Sequence, residues 1–292
     1  MLEYTSEFIS RKIQSAGYFL IVATILGSMI PVTAQSQETL KSKETLRFVI
    51  QPFQSEEKTR ANFQPLADYF QELTGQKVEI VTYPNFISYW AETQKTGSYD
   101  IALDAAHFID YRNKGKDFTV LAKQPGIISI SLIVSEDNLI FDAEELIGKK
   151  IATLGPPSIA AVRVYELFNN PVRQPSIIEV DNTGQAMSML LSGKVDAAMI
   201  PTPLVSVQMA GEGGIAVVST SDSIPGMAIS VSPTVSAEVR EKLLKGLLTA
   251  DKSESGKKML KLTRLNPFEK AANQDYFGYS KMLGESEMLV RK

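Results

Sequence analysis

The sequence predicts an α/β protein built as two lobes. Short β runs alternate with helical stretches of about ten residues, the signature of βαβ units and mostly parallel sheets. This rhythm runs through the chain twice, and a strand and terminal helices follow it. The chain would leave the first lobe near Val134 and return near Ile224, which leaves a cleft between lobes where a small ligand binds.

The elements follow in order. Leu46–Gln51 is a short β run. Ser55–Thr74 is helical: Ser55 can cap, Glu56 and Glu57 suit the positive helix start, Leu66, Phe70 and Leu73 share a face, and Gly75 stops it. Pro65 predicts a kink or a new start inside that stretch. Lys77–Tyr83 alternates as a strand, Asn85–Lys95 is helical, Tyr99–Leu103 is a strand and His107–Lys114 a short helix. Thr119–Lys123 and the nearly all-apolar Ile127–Val134 are β runs.

The second run has a short helix at Asp142–Ile147, then a strand at Lys150–Leu154, the turn Gly155-Pro156-Pro157 and a helix at Ser158–Phe168. Strands at Ser176–Val180, Val195–Ile200 and Ile215–Ser219 alternate with helices at Thr183–Ser192 and Leu204–Ala210. Met227–Val231 is a strand, and Ser236–Ala250, Ser253–Leu262 and Gln274–Leu283 read as helices.

The N-terminus reads as a targeting segment. Arg11 and Lys12 precede the apolar run Tyr18–Ile30, and Val32-Thr33-Ala34 has the small residues of a cleavage site. The run is shorter than the about 20 apolar residues of a membrane span. Cleavage after Ala34 would send the protein to the periplasm; an uncleaved N-terminus would anchor it to the membrane. The expected divisions are signal peptide 1–34, flexible leader 35–45, first lobe 46–134 plus 224–292, and second lobe 135–223.

Composition closes off several functions. There are no Cys residues and one His, so disulfides, thiolate chemistry and His-rich metal sites are excluded. With 30 Lys+Arg against 33 Asp+Glu, the net charge of −3 argues against a grip on nucleic acid. No G-x-S-x-G occurs, and a hydrolase triad would depend on His107 alone.

Several segments, in order and spacing, carry a resemblance. They are Pro65-Leu66-Ala67-Asp68-Tyr69 through Thr74-Gly75, Tyr99-Asp100-Ile101-Ala102, and Glu145-Leu146-Ile147-Gly148-Lys149-Lys150-Ile151-Ala152 leading to Pro157-Ser158. Ser192-Gly193-Lys194-Val195-Asp196-Ala197-Ala198 and Ile224-Pro225 follow. From Leu46 to Leu283 the chain resembles the periplasmic phosphate/phosphite/phosphonate-type solute-binding proteins of ABC transporters, of the type 2 binding-protein (transferrin-like) superfamily. The resemblance implies a two-lobed, non-enzymatic receptor without cofactor or metal. It would close as a monomer on a small anionic, phosphonate- or phosphate-like solute and present it to an inner-membrane ABC permease. A sensory module signalling to a partner protein, or an enzyme on the same fold, are the alternatives. The chain departs from the pattern where Ile159-Ala160-Ala161 follows Ser158 in place of further hydroxyls, and where Asp181-Asn182-Thr183-Gly184 replaces a helix-start His.

Candidate ligand-binding residues sit where strands end and helices begin. Ser158 follows a strand and turn, so the free N–H groups and its hydroxyl suit an anion, or it is only an N-cap. Asn182 and Thr183 stand likewise. Thr202 lies past a strand end between two prolines, and Asp104 and His107 follow another strand end. Tyr83, closing a strand, and Trp90 could wall the cleft, although Trp90 also suits helix packing. Arg163 could pair with an anion or with Glu166. Tyr111-Arg112 and Lys114–Lys116 read as a solvated face. Tyr276 and Tyr279 form the nearest approach to an iron-binding pair, in a tail helix.

Overall fold

The structure is a computed structural model that describes residues 44–284. The expected signal peptide, and the leader up to residue 43, lie outside the described residues. Both lobes fall within one compact unit.

The first lobe starts with β1 (Thr45–Ile50), whose Phe48 faces Ile80 on one side and Ile101 on the other in parallel register. Between β1 and β2 (Lys77–Val81) runs α1 (Glu56–Thr74). Ser55 caps α1 and Gly75, at φ 73°, ends it by returning its N–H to Gln71. Pro65 neither breaks nor restarts this helix. Its missing N–H removes one bond, and packing against β2, α7 (Ala237–Leu248) and α8 (Glu254–Thr263) holds the rest. The lobe continues with α2 (Phe86–Thr93), β3 (Ile101–Asp104), α3 (Ala106–Lys116) and β4 (Thr119–Lys123).

The expected run Ile127–Val134 divides at Ser129 into β5 (Ile127–Ile128) and β6 (Ile130–Ser135). β6 pairs in the second sheet, so the outward crossing lies before Ile130 and not near Val134. The second lobe adds β7 (Lys150–Leu154), α4 (Ile159–Leu167), β8 (Ser176–Val180), α5 (Thr183–Leu191), β9 (Ala197–Pro201), α6 (Thr202–Gly211) and β10 (Ile215–Thr220). The return passes through β11 (Ile224–Pro225), which pairs antiparallel with β5, into β12 (Ala228–Val231). β5 and β11 are therefore a two-stranded bridge carrying both crossings.

The first sheet has the order β13-β4-β12-β3-β1-β2, with β13 at Glu269–Lys270, and the second the order β10-β6-β9-β7-β8. Each is mixed rather than mostly parallel. Strands joined by helical crossovers (β1, β2 and β3; β7, β8 and β9) pair parallel. The strands that arrive from the other lobe, β6 and β12, enter without a crossover and pair antiparallel.

Two other expected helices shrink. Asp142–Ile147 is a single 3-10 turn, Ala143–Leu146, closed by the Asp142/Glu145 capping box. At Gln274–Leu283 a 3-10 turn, Asn273–Tyr276, is followed by Gly278 at φ 97°, a conformation no helix continues through.

The core is divided to match. One cluster joins β1, α1, α7 and α8 through Phe48, Leu66, Phe70, Leu243 and Met259. Two more cover the faces of the second sheet. A fourth, around Phe86, Tyr89 and Phe108 of the first lobe, takes in Leu154 from the end of β7. Ile159 at the start of α4 packs on the neighbouring cluster of Ala106 and Ile109. The β7–α4 corner of the second lobe thus packs on the first through apolar side chains.

Candidate functional site

A cavity of about 930 Å³ is lined by residues of both lobes. The first lobe supplies the loop after β1 (Phe53, Gln54, Ser55), one face of α1 (Lys58, Asn62, Phe63) and the end of α8 (Leu262, Thr263, Arg264). The second lobe supplies Asn182, Thr183 and Gly184, where α5 begins, and Leu204 of α6.

Local structure fixes these groups. The rings of Phe53 and Phe63 meet edge to face at 6.0 Å, which ties the loop to α1. Asn62 donates to Gln54 at 2.7 Å. Asn182 caps α5 by accepting from the Gln185 amide at 3.0 Å. In the first turn of α5 the Thr183 and Gln185 amides are taken by Phe53 O and the Asn182 cap, which leaves the Gly184 amide and the positive end of the helix dipole at the cavity. Among the described residues the only charged ones lining it are Lys58 and Arg264, both positive. Among the described residues neither has a carboxylate partner. The lobes touch at its rim: Thr183 donates to the carbonyl of Phe53, 3.3 Å from Oγ1 and 3.5 Å from N. A cavity with two cations, an inward helix start, amide side chains and apolar flanks suits an anion with a small organic part.

A family model described as "ABC transporter, phosphonate, periplasmic substrate-binding protein" matches residues 48–276. The chain belongs to this family. The phosphonate-binding family is one of periplasmic solute-binding components of transporters, not of enzymes. Solved structures share the fold. PhnD1 of Prochlorococcus marinus, in complex with methylphosphonate, is 12% identical, with 85% of this chain and 99% of that one covered and a TM-score of 0.71. A binding protein component of an ABC phosphonate transporter from Pseudomonas aeruginosa is 17% identical over 85% and 88%, with a TM-score of 0.70. A Xanthomonas citri protein bound to ATP is 13% identical over 85% and 99%, with a TM-score of 0.67. At these identities the likeness concerns the fold. No curated protein sequence matches the chain.

Within this family member the residues singled out from sequence scatter. Asn182 and Thr183 line the cavity. Ser158 is 1% exposed; its hydroxyl donates to Leu154 O at 3.0 Å and accepts from the Ala161 amide, as an N-cap does. Asp104 is fully buried, taking the Tyr89 hydroxyl on one oxygen and the Arg112 guanidinium on the other. His107 is buried against Pro157 of the second lobe. Tyr83 packs edge-on to Tyr89 at 6.0 Å. The Thr202 hydroxyl bonds those of Ser129 and Ser131, both at 2.8 Å, anchoring α6 to the crossing strands.

Other expectations resolve the same way. Trp90 packs on Tyr111 and Phe108. Arg163 pairs with Glu166 at 2.5 Å and also donates to Asp222 O. Arg112, read as solvated, is 1% exposed: α3 is covered on both sides, and Asp104 at the end of β3 supplies the compensating charge. Tyr276 is buried and donates to Gly226 O at 2.8 Å. Among the described residues no group of three His, Cys, Asp or Glu converges.

Phe53, Gln54, Lys58, Asn62 and Arg264 had no part in the sequence reading of the site, and Ser55 figured only as a cap. Yet Ser55 follows a strand and opens a helix, the rule that selected Asn182 and Thr183. Arg264 carried no local signal, because only the packing of α8 on α1 brings it to the cavity.

Proposed function

We propose that the protein is the receptor of an ABC importer, taking a small phosphonate- or phosphate-like anion between the Phe53–Lys58 segment and the start of α5, and delivering it to an inner-membrane permease. The observation that carries the reading is the interlobe cavity whose only charges among the described residues are Lys58 and Arg264, lined also by the α5 start at Asn182–Gly184. Family membership supports the transport role, and the methylphosphonate complex of PhnD1, on the same fold, supports the ligand class. On the second lobe the Asn182 side-chain amide is the proposed anion contact, and Thr183, bonded to Phe53 O, is proposed to close the rim beside it. The first 34 residues are the proposed signal peptide. No helix among the described residues is long and apolar enough to cross a membrane.

Thermal melts and calorimetry with methylphosphonate, phosphite, phosphate, sulfonates and amino acids test the reading. A ligand at a hundred times its Kd adds about 2.7 kcal/mol to stability, an easily read shift. A shift with a phosphonate or phosphate-like anion supports the proposal; shifts only with neutral or cationic solutes refute it. Mass spectrometry of the exported protein gives the mature start, expected at Gln35.

A further inference from the structure

The lone histidine lies outside the proposed anion site, where the β7–α4 corner packs on the first lobe. His107 is in the first turn of α3, and its Nε2 is 3.0 Å from the carbonyl oxygen of Pro157 in the β7–α4 corner. A carbonyl oxygen only accepts, so Nε2 carries the hydrogen and donates it. In the neutral ring Nδ1 is then a bare lone pair, and among the described residues it is buried without a partner. The ring is 0% exposed and lies against Phe108, with centroids 4.1 Å apart. Part of that enclosure belongs to the other lobe, through Pro157 itself and through Leu154 and Ile159 seated beside it.

We propose that His107 is a positioning residue for lobe closure: its bond to Pro157 holds the closed form while the imidazole is neutral, and protonation in acid releases it. The inference rests on the separation of two lobes about the β5/β11 bridge and is independent of which solute is bound.

Among the described residues the surroundings offer a proton nothing. Arg112 on the same helix and Arg163 on α4 both act against a positive ring. Asp104 is taken by Arg112, and Asp110 faces Lys114 and the C-terminal segment. Of the strands on α3, β12 carries no ionisable group and the Lys123 of β4 pairs with Glu269. The C-terminal turn brings Asp275, held to its own Ala272 amide, and the buried Tyr276. Burial first, then Arg112 and Arg163, push the ring down to about 3 against the opposing effect of the Pro157 bond. A solvated imidazole titrates near about 6.5. Above that pH the ring is neutral in both forms and closure is indifferent to pH. Below it the open form takes up a proton that the closed form excludes, so opening gains about tenfold per pH unit until the closed form's own titration.

The chain suits a direct test, because one His gives one imidazole resonance and the absence of Cys permits site-specific labelling. Spin labels on Glu241→Cys and Lys194→Cys, both exposed and one on each lobe, report the separation without added solute. The expected result is a neutral, Nε2-protonated ring with the lobes together at pH 7.5, and protonation with lengthened separation appearing together by pH 5. His107→Gln keeps a donor that cannot be protonated, and its separation is expected to stay constant over that range. The proposal is overturned by a ring titrating near 6.5 with the separation fixed, by lobes still together around a neutral ring at pH 4, or by the same pH-driven opening in His107→Gln. If the variant fails to fold, the titration of the unsubstituted ring decides alone. An anion screen that finds no ligand leaves all of these readings unchanged.

Discussion

Thr183, the first residue of α5, donates its hydroxyl to the carbonyl oxygen of Phe53 across the lobe interface at 3.3 Å. The contact joins the two segments proposed to grip the solute, at the rim of the cavity they share. Thr183→Val keeps the shape and deletes the donor. A net hydrogen bond is worth about 0.5–1.5 kcal/mol, so affinity for the anion found in the screen is expected to fall about two- to tenfold, with the melting temperature of the solute-free protein little changed. Calorimetry showing unaltered affinity would remove Thr183 from the closing contact.

Among the described residues Lys58 and Arg264 supply the cavity's only charges. Both are exposed, so their attraction for an anion is screened by salt. Replacing both by Gln is expected to weaken binding at least tenfold at low salt and to flatten the salt dependence. Titrations at two ionic strengths read both effects. A double variant with the parent's salt slope would place the anion elsewhere.

The local elements were legible because each is written in contiguous residues: Ser55 and Gly75 bracket α1, and alternation marks β2. Sheet membership was less so. β6 has the apolar pattern of a buried strand in either lobe, and nothing in Ile130–Ser135 states which sheet it enters. Half of the proposed site was legible too, since Asn182 and Thr183 obey the strand-end, helix-start rule. That rule over-selects: Ser158 satisfies it and uses its hydroxyl in its own cap, while Asp104 satisfies it and meets a buried arginine. Which helix start faces open space depends on how the second lobe seats on the first. The residues that decide this, Leu154 and Ile159 against Phe108 and Ala106, are far apart in sequence.

Arg112 is the charge that sequence misplaced, and it makes a strong stability expectation. Its Nε donates to Tyr99 at 2.6 Å, one terminal nitrogen to Tyr89 at 2.8 Å, and the other to Asp104. Removing one partner of a buried ion pair leaves an uncompensated charge and costs about 3–5 kcal/mol. Arg112→Met is expected to lose stability of that order in denaturant melts. Asp104→Asn combined with Arg112→Met is expected to lose less than Arg112→Met alone. A single variant as stable as the parent would mean that Asp104 is not ionised beside it.

Asp110 ties the C-terminal segment to α3. One carboxylate oxygen accepts from the Gly278 amide at 3.0 Å, the Ser280 amide at 2.8 Å and Lys114 at 2.8 Å. Burial pushes this carboxyl up, but the hydrogen bonds from Lys114 and Ser280 outweigh it and hold the group below its ordinary value. A group whose native value is depressed contributes stability above its unfolded pKa, about 3.9 for Asp, and loses it as pH falls through the native value. The clamp is therefore expected to be fully present at pH 5 and above and to weaken below about pH 4. Asp110→Ala should release it at every pH, with amide exchange accelerated at Gly278 and Ser280 and the helices of the second lobe unaffected. Exchange at those two amides that is equally slow in the variant would show that the segment is held by its apolar contacts, Tyr276 and Leu283, and not by the carboxylate.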